Sequence, residues 1–426
     1  MTRNQIILIF VGLAVVGGII LLFVFGVKRN EPSFAGTLNF WGVFDSPAAM
    51  EQVIGAYKKE RPQIEIIYRQ LNPATYEKDL VDALASGNAP DLFMVHNTWL
   101  PKHFNKMAPF LEEQISIADL RRLFPTVVEQ DFAPDGAVYA LPLYIDTLAF
   151  FYNQDIFDNK SIALPPTTWK EFENLVPKLR TLDKLGRIEK SAAAIGGSNK
   201  SINRAIDLLN LVMLQSGTKM VADDFSEASF NSNEGLEALN FYTKFSSPTN
   251  PAYTWSDGLA YSLDSFAAGD TTMMFNYSHQ IGALKEKNPF LNFRVVPMLQ
   301  PEKRTQDVNF ANYWGIAASS KTPYRLAAQD FILFLTANPQ ISQAYLQLTG
   351  RPPALRGLIS QYLDNQELGV FARQALTARS WPQIDNVAVE NALNTMLEDV
   401  IGGRSPARKA LQEAENKVSQ LMRSNR

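Results

Sequence analysis

An uncharged run near the N-terminus divides the chain into two parts. From Ile6 to Val27 the sequence has 22 residues without a charged side chain, and Arg3 and Lys28 flank this run. A helix rises about 1.5 Å per residue, so a run of this length spans the roughly 30 Å hydrocarbon layer of a bilayer. We therefore predict an N-terminal transmembrane helix within residues 1–30, followed by one folded body.

A cleaved signal peptide is the alternative interpretation of this segment, because Ser33, Phe34 and Ala35 offer small residues at the spacing that a signal peptidase prefers. The apolar region of a signal peptide is usually about 7 to 15 residues long, however, and its cleavage region is normally uncharged, whereas Lys28 and Arg29 lie there. These features favour an uncleaved anchor. Lys and Arg are nearly balanced across the segment, so charge bias does not orient it.

The composition excludes several functional classes. The chain has no cysteine, which removes disulfides, thiol nucleophiles, zinc–cysteine sites and lipid attachment through cysteine. Its net charge of -3 lacks the basic excess that is typical of nucleic-acid-binding proteins, so we expect no nucleic-acid partner.

The first part of the body predicts a parallel sheet. Aromatic and β-branched runs alternate with amphipathic segments in a strand–helix–strand–helix–strand order, with strands at 37–44, 64–71 and 91–95 and helices from Pro47 and from Tyr76. Such units form parallel sheets with right-handed crossovers. Ligands of open parallel sheets bind beyond the carboxyl ends of the strands.

The sequence contains few of the motifs that mark catalytic sites. There is no phosphate-binding loop, dinucleotide-binding fingerprint, serine nucleophile elbow or zinc-protease motif, and the three histidines lack a metal-site spacing. We therefore expect no catalytic residue, no metal and no cofactor. The enzyme alternative is an anchored glycoside hydrolase that would use two of the carboxylates.

Aromatic residues at strand ends indicate a different chemistry. Trp41, Trp99 and Trp314 lie at or just beyond predicted strand ends, where a ligand-facing position and a core position are both open. An indole face can pack on the C–H face of a pyranose while nearby amides and carboxylates, such as Asp146 and Asn276, bridge its hydroxyls. These residues predict a site for a neutral polar ligand.

Five segments in order resemble the extracellular solute-binding proteins of ABC importers, in particular the sugar-binding family 1, or maltose-binding-protein type. They are LVDALASGNAPDLFMV (80–95), DGAVYALPLYIDTLAFFYNQDIF (135–157), PPTTWKEF (165–172), FAAGDTTMMFN (266–276) and FILFLTANPQ (331–340). The resemblance covers about residues 37–422.

This resemblance implies an α/β, two-lobed, periplasmic-binding-protein-like fold of type II, with a hinge and an interlobe cleft. By position, residues 37–143 and 293–335 would form lobe 1, and residues 144–292 and 336–426 would form lobe 2. Hinge strands are expected at 139–144 and 291–298.

The resemblance also implies a set of ligand-binding residues, carried over where the motifs match, with Asn203 or Arg204 as an alternative in the second lobe. The set is Trp41, Asp45, Asn97, Trp99, Tyr144, Asp146, Asn203, Tyr277, His279, Trp314 and Arg351. His279 stands where a tryptophan is common in the family, which argues against a maltodextrin ligand.

The function implied is capture of a mono- or oligosaccharide by hinge closure, and its delivery to the permease subunits of an ABC transporter, by a monomer. The body would be extracellular or periplasmic, tethered by the N-terminal helix or secreted. Two alternatives keep the fold: a non-sugar solute (polyol, glycerol phosphate or peptide), or a ligand-binding domain for a sensor. Phosphate ligands usually recruit an arginine or helix N-termini, so a basic cleft would favour a phosphorylated solute.

Overall fold

The computed structural model describes residues 36–424. Within this range no helix combines the length and the apolarity needed to cross a bilayer. The predicted anchor, Ile6 to Val27, lies outside the described residues.

One five-stranded sheet organises the first lobe. Its three parallel strands confirm the predicted parallel unit, and each is followed by a helix, while Trp314–Ala318 pairs antiparallel with both of its neighbours. In spatial order the strands are Ile64–Gln70, Gly36–Gly42, Leu92–His96, Trp314–Ala318 and Ala140–Pro142.

A second five-stranded sheet organises the other lobe. Its central strand, Thr271–Asn276, is buried along its whole length, as expected for a strand covered by helices on both faces. In spatial order the strands are Phe293–Val296, Ala149–Asn153, Thr271–Asn276, Ile188–Ala193 and Thr181–Leu182.

A small third sheet lies where the chain passes between the two cores. It consists of Ala378–Arg379, Asn309–Asn312 and Asp146–Thr147, and two of these strands run directly towards strands of the large sheets. The buried residues form two separate clusters, one on each side of it. Three short extended crossings therefore join the lobes, an arrangement suited to hinge motion.

Local signals explain where the helices begin and end. Ser46 caps its helix by accepting a hydrogen bond from the Ala49 amide, Thr168 forms a capping box with Glu171, and Gly87 ends its helix with φ of 80°. The helices are Pro47–Glu60, Tyr76–Ser86, Leu100–His103, Ile117–Leu123, Thr126–Phe132, Gln154–Asn159, Trp169–Leu179, Ala205–Gln215, Asn233–Thr243, Ser262–Ala267, Gln280–Lys287, Arg325–Ala337, Pro339–Thr349, Arg356–Tyr362, Gly369–Ala375, Asn386–Ile401 and Ala407–Ser424, with 3-10 turns at Phe104–Lys106 and Lys244–Ser246.

The structure differs from the predicted division of the chain in two places. Phe293–Val296 pairs with Ala149–Asn153 and thus belongs to the second sheet, not to lobe 1. Tyr345, Leu358 and Ile359 pack in the first core, not in lobe 2. Both differences arise because strand pairing and helix docking are decided by distant partners, which a linear motif order does not reveal.

Candidate functional site

A cavity of about 180 Å³ lies between the two cores, at the carboxyl ends of the first sheet's parallel strands. One wall comes from the first lobe, and the opposite wall comes mainly from the N-terminal turns of two helices of the second lobe. The first wall contains Phe44, His96, Thr98, Trp99 and Trp314, and the second contains Arg204, Asp207, Asn210, Asn386 and Glu390. We call these the aromatic wall and the charged wall.

Trp314 is the centre of the aromatic wall. Its ring meets those of Trp99, His96 and Phe44 edge to face, at centroid distances of 5.1, 5.3 and 5.4 Å. These separations lie within the favoured range for aromatic pairs. Phe44 remains 45% exposed, so the wall offers apolar surface to the cleft.

Sheet geometry places these rings together. Trp314 is the first residue of its strand and pairs directly with His96, the last residue of the neighbouring antiparallel strand. Tyr76 supports them from behind, because its ring stacks on Trp99 at 6.0 Å and its hydroxyl donates to the Met94 carbonyl at 2.8 Å. The aromatic wall is therefore fixed before any ligand arrives.

The charged wall is built from helix starts. Asp207 and Asn210 are polar positions on the otherwise apolar helix Ala205–Gln215, while Asn386 and Glu390 lie one turn apart at the start of Asn386–Ile401. Asp207 accepts a hydrogen bond from the Tyr277 hydroxyl at 2.7 Å. Its carboxylate is thereby held in one orientation towards the cavity.

Arg204 is the basic member of the charged wall. It has a left-handed backbone, with φ of 64°, directly before its helix. Its guanidinium lies 5.4 Å from the centroid of the Tyr277 ring and its Nε lies 3.7 Å from Asp207. A non-glycine residue in this conformation is uncommon and often marks a functional position.

Electrostatics make this cavity suited to uncharged polar ligands. Burial lowers the pKa of His96 to about 4, so the ring is neutral at physiological pH. The pKa of Glu390 is raised, mainly by burial and secondly by repulsion from Asp207. Carboxylates beside a guanidinium offer both acceptors and donors, and such a mixed set matches hydroxyl groups rather than a phosphate.

Two of the predicted site residues, Trp99 and Trp314, line the cavity directly. Three others form a buried cluster beside Phe44. The Asp45 carboxylate accepts hydrogen bonds from the Tyr345 hydroxyl at 3.0 Å and from Arg351 at 3.2 Å, and the Arg351 guanidinium lies 4.2 Å from the centre of the Tyr144 ring. Asp45, Tyr144 and Arg351 therefore stand behind the aromatic wall.

Four predicted residues lie together on the second lobe near the hinge. The Asp146 carboxylate accepts hydrogen bonds from the Ser278 amide and hydroxyl, and His279 is 3.7 Å from it. Tyr277 stacks on His279 at 5.9 Å, as well as donating to Asp207. Asn203 accepts a hydrogen bond from Asn276 at 3.1 Å. Through Tyr277, this group supports the charged wall.

The predicted site residues Trp41 and Asn97 do not line the cleft cavity. Trp41 is partly buried, with the Arg69 guanidinium 5.8 Å from its ring. The Asn97 amide donates to Asp131 at 3.0 Å, and its oxygen accepts from the Tyr313 amide. Asn97 lies in the turn that follows the strand Leu92–His96, and it faces a different cavity from the one that His96 and Thr98 line.

Sequence reasoning did not single out several lining residues. His96 and Phe44 lie in the segments that follow the first strands, on the side where a ligand is expected, but neither is in the predicted set of site residues. Asp207 and Asn210 carried a usable signal, because two polar residues three apart interrupt a strongly apolar helix. Asn386 and Glu390 had a weaker one, the N-cap at Asp385.

A larger cavity, of about 580 Å³, lies on the other side of the segment 381–385. Pro382 and Ile384 face it, whereas Gln383 faces the cleft. Its lining is mostly apolar, and the nearby Asp131 is already held by Asn97 and Tyr313. The smaller cavity therefore has the convergent polar groups expected of a polar-ligand site.

Comparison with known families gives one match over most of the chain. The model of the family described as bacterial extracellular solute-binding protein matches residues 52–363. Among curated proteins, the maltotriose-binding protein of Pyrococcus abyssi is 23% identical over 358 residues, covering 79% of this chain and 72% of that protein. The maltodextrin-binding protein MdxE of Bacillus subtilis is 21% identical over 385 residues, covering 85% and 87%.

Solved structures show the same fold. The sugar-binding protein MalE from Xanthomonas citri superposes with a TM-score of 0.77 at 19% identity, covering 91% of this chain and 98% of its own. The cyclic alpha-maltosyl-1,6-maltose binding protein from Arthrobacter globiformis gives 0.77 at 18% identity, covering 92% and 100%. The chain therefore has the α/β, two-lobed fold of the maltose-binding-protein type.

Proposed function

Because the chain belongs to the bacterial extracellular solute-binding protein family, we propose that it captures a neutral carbohydrate between its lobes for an ABC importer. The observation that carries the proposal is the pairing of an aromatic wall with a charged wall across one cavity. Aromatic faces bind the apolar faces of a sugar ring, and fixed acceptors and donors bind its hydroxyls. The folded body acts outside the cytoplasmic membrane, as the family does.

The size of the cavity favours a short ligand. A volume of about 180 Å³ lies below the roughly 300–1,000 Å³ of pockets for drug-sized molecules. One or two sugar rings suit the lobes as they stand here. The relatives named above bind maltotriose, maltodextrin and a cyclic maltosyl-maltose, and we extend only the carbohydrate class to this chain.

Capture would proceed by closure of the lobes. A ligand that rests on the aromatic wall gains the hydrogen bonds of the charged wall only when the two approach, so it binds the closed state more tightly. Moving a population from mostly open to mostly closed needs about 10⁴-fold preference, or about 5.5 kcal/mol, which several such contacts together can supply.

The remaining parts of the proposal follow from the family. The closed monomer would dock on the permease subunits of the transporter, and Ile6 to Val27 would anchor it to the membrane. The ligand would leave unchanged, since the site is proposed to bind and not to catalyse. The mixture of Glu390, Asp207 and Arg204 favours a neutral sugar over glycerol phosphate, which needs a basic site.

Calorimetry tests this proposal. The full chain, held in lipid nanodiscs so that no sugar-based detergent is present, is titrated with neutral mono- and disaccharides, longer oligosaccharides, polyols, sugar phosphates and short peptides. We expect saturable binding of at least one neutral saccharide, recovered intact by mass spectrometry. Binding of another class alone would overturn the sugar assignment, and recovery of cleaved saccharide would overturn the non-enzymatic role.

A further inference from the structure

Lys102 bridges the two lobes beside the cleft. Its ammonium donates to Glu77 of the first lobe at 2.9 Å and to Asp385, next to the second-lobe helix Asn386–Ile401, at 2.7 Å. All three side chains are between 22% and 27% exposed. The ions are therefore partly withdrawn from water, where a pair is stronger than one on the open surface.

A second bond joins the same two segments. The Trp99 indole donates to the Asn386 side-chain oxygen at 3.0 Å. Trp99 and Lys102 are three residues apart on one helical turn, so they share a face, and their partners are the consecutive residues Asp385 and Asn386. The two bonds thus act together as one contact, which we call the interlobe latch.

The latch sits at the start of the helix that supplies the charged wall. Asp385 is the N-cap of Asn386–Ile401, and one of its oxygens accepts from the Ala388 amide at 3.0 Å while the other accepts from Lys102. Asn386 and Glu390 of the same helix face the cavity. Any shift of this first turn relative to Lys102 therefore moves two of the proposed ligand contacts.

The charge of Asp385 is needed for Lys102 to occupy this place. A cation close to a helix N-terminus is repelled by the positive end of the helix dipole, and the carboxylate between them reverses that effect. Glu77 holds Lys102 from the other side and is itself bonded to the His103 ring at 2.8 Å. Lys102 is thus fixed by two carboxylates and does not line the cleft cavity.

We propose that Lys102 is a positioning residue that sets the closing equilibrium of the lobes, and hence the affinity, through Asp385. The expected effect on affinity rests on the proposed function, because it requires the ligand, whereas the expected effect on lobe separation does not. Loss of the bridge would leave each wall intact within its own lobe and would lower the closed fraction. The apparent dissociation constant rises in proportion to that loss.

The test uses matched variants of the full chain. Asp385→Asn keeps a good N-cap and removes the charge, and Lys102→Met keeps the length of the side chain without the ammonium. We expect each to weaken saccharide binding about fivefold, and the double variant to lose no more than either one, because they break the same bond. Lys78→Met, which breaks the exposed pair with Asp82, is the control and should change binding less than about 1.5-fold.

Lobe separation is measured independently of ligand. The chain has no cysteine, so Lys58→Cys and Lys219→Cys, on exposed positions of the two lobes, accept a dye pair for energy transfer. We expect the latch variants to have lower transfer without ligand than the parent and the Lys78→Met control. If the substitutions only destabilised the surrounding structure, they would lower the melting temperature without lowering the energy transfer.

The outcomes separate the two proposals. If no saccharide binds the parent chain, the proposed function fails, while the energy transfer of the unliganded variants still tests the latch. Unchanged transfer in both latch variants overturns the latch, whether or not affinity falls. Additive losses in the double variant also overturn it, because they show that Lys102 and Asp385 act separately.

Discussion

The two walls of the cleft differ in how they are made. The aromatic wall stands at the carboxyl ends of strands and packs ring on ring around Trp314. The charged wall stands on the first turns of two helices, and its orientation depends on single hydrogen bonds such as that from Tyr277 to Asp207. Packing of rings is broad and tolerant, whereas hydrogen bonds depend on direction.

This difference suggests a division of labour. Burial of apolar surface against the rings contributes affinity for any ring-shaped ligand, because it is not directional. We expect hydrogen bonds to Asp207 and Glu390 to discriminate between ligands, because an unmatched hydroxyl would leave a buried polar group unpaired. The substitutions below are arranged to break that contrast or to sharpen it.

Removal of Trp314 should have the largest effect. Trp314→Ala deletes the ring that touches Phe44, His96 and Trp99, so we expect about 2–3 kcal/mol of binding free energy to be lost for every saccharide that binds, roughly 30- to 150-fold in calorimetry. Trp314→Phe should recover part of it. Trp169→Phe, in the second core, should lower the melting temperature without changing affinity. A loss confined to one sugar would contradict the division of labour.

Glu390 tests the opposite wall. Glu390→Gln keeps the shape but removes the charge, and a charged hydrogen bond contributes about 1.5–3 kcal/mol, so we expect a loss of about tenfold for the preferred sugar. Epimers that lack the matching hydroxyl should lose much less. The check is the ratio of dissociation constants for two epimers, measured for the parent and the variant. An equal loss for both would mean that the charged wall does not select.

The strand-end half of the site could be predicted from the sequence. Aromatic and β-branched runs predict strands at 64–71 and 91–95, close to the observed Ile64–Gln70 and Leu92–His96, and the end of the second brings Trp99 into the candidate set. The pairing of Trp314 with His96 is different, because an antiparallel strand more than 200 residues away inserts there. The local sequence pattern identifies Trp314 as a candidate site residue, but it does not reveal which residues contact it.

The helix-start half of the site was harder to predict. Glu390 and Asn386 reach the cleft because the chain turns at 381–385, after its third crossing between the lobes. The direction of that turn cannot be predicted from the periodicity of the sequence. The assignment of Phe293–Val296 to the first lobe failed for a similar reason, since a strand edge carries no mark of its partner. Pairings between distant segments are fixed by tertiary packing, which is where single-sequence reasoning is weakest.

A smaller effect concerns acid stability, and it isolates His96 in the aromatic wall. The folded pKa is about 4, below the unfolded value of about 6.5, so between these pH values the unfolded chain binds a proton that the folded chain does not. Stability contributed by neutral His96 is therefore present above about pH 6.5 and is lost as pH falls, by about 1 kcal/mol per unit near pH 5. Denaturant unfolding of the parent and of His96→Asn from pH 7 to 4.5 measures this. Parallel curves would contradict a ring that stays neutral in the folded chain.

The smallest expected change tests whether the site extends beyond the two walls. His279 is 47% exposed, stacks on Tyr277 and does not line the cavity, so a ligand confined to the cavity would not reach it. His279→Trp adds aromatic surface there. We expect about threefold tighter binding of oligosaccharides, within the roughly 0.5–1.5 kcal/mol of an aromatic contact, and no change for a monosaccharide. His279→Gln should leave both unchanged. Tighter monosaccharide binding would instead show that position 279 lies within reach of the first sugar ring. The charged wall would then have to include an aromatic residue at that position.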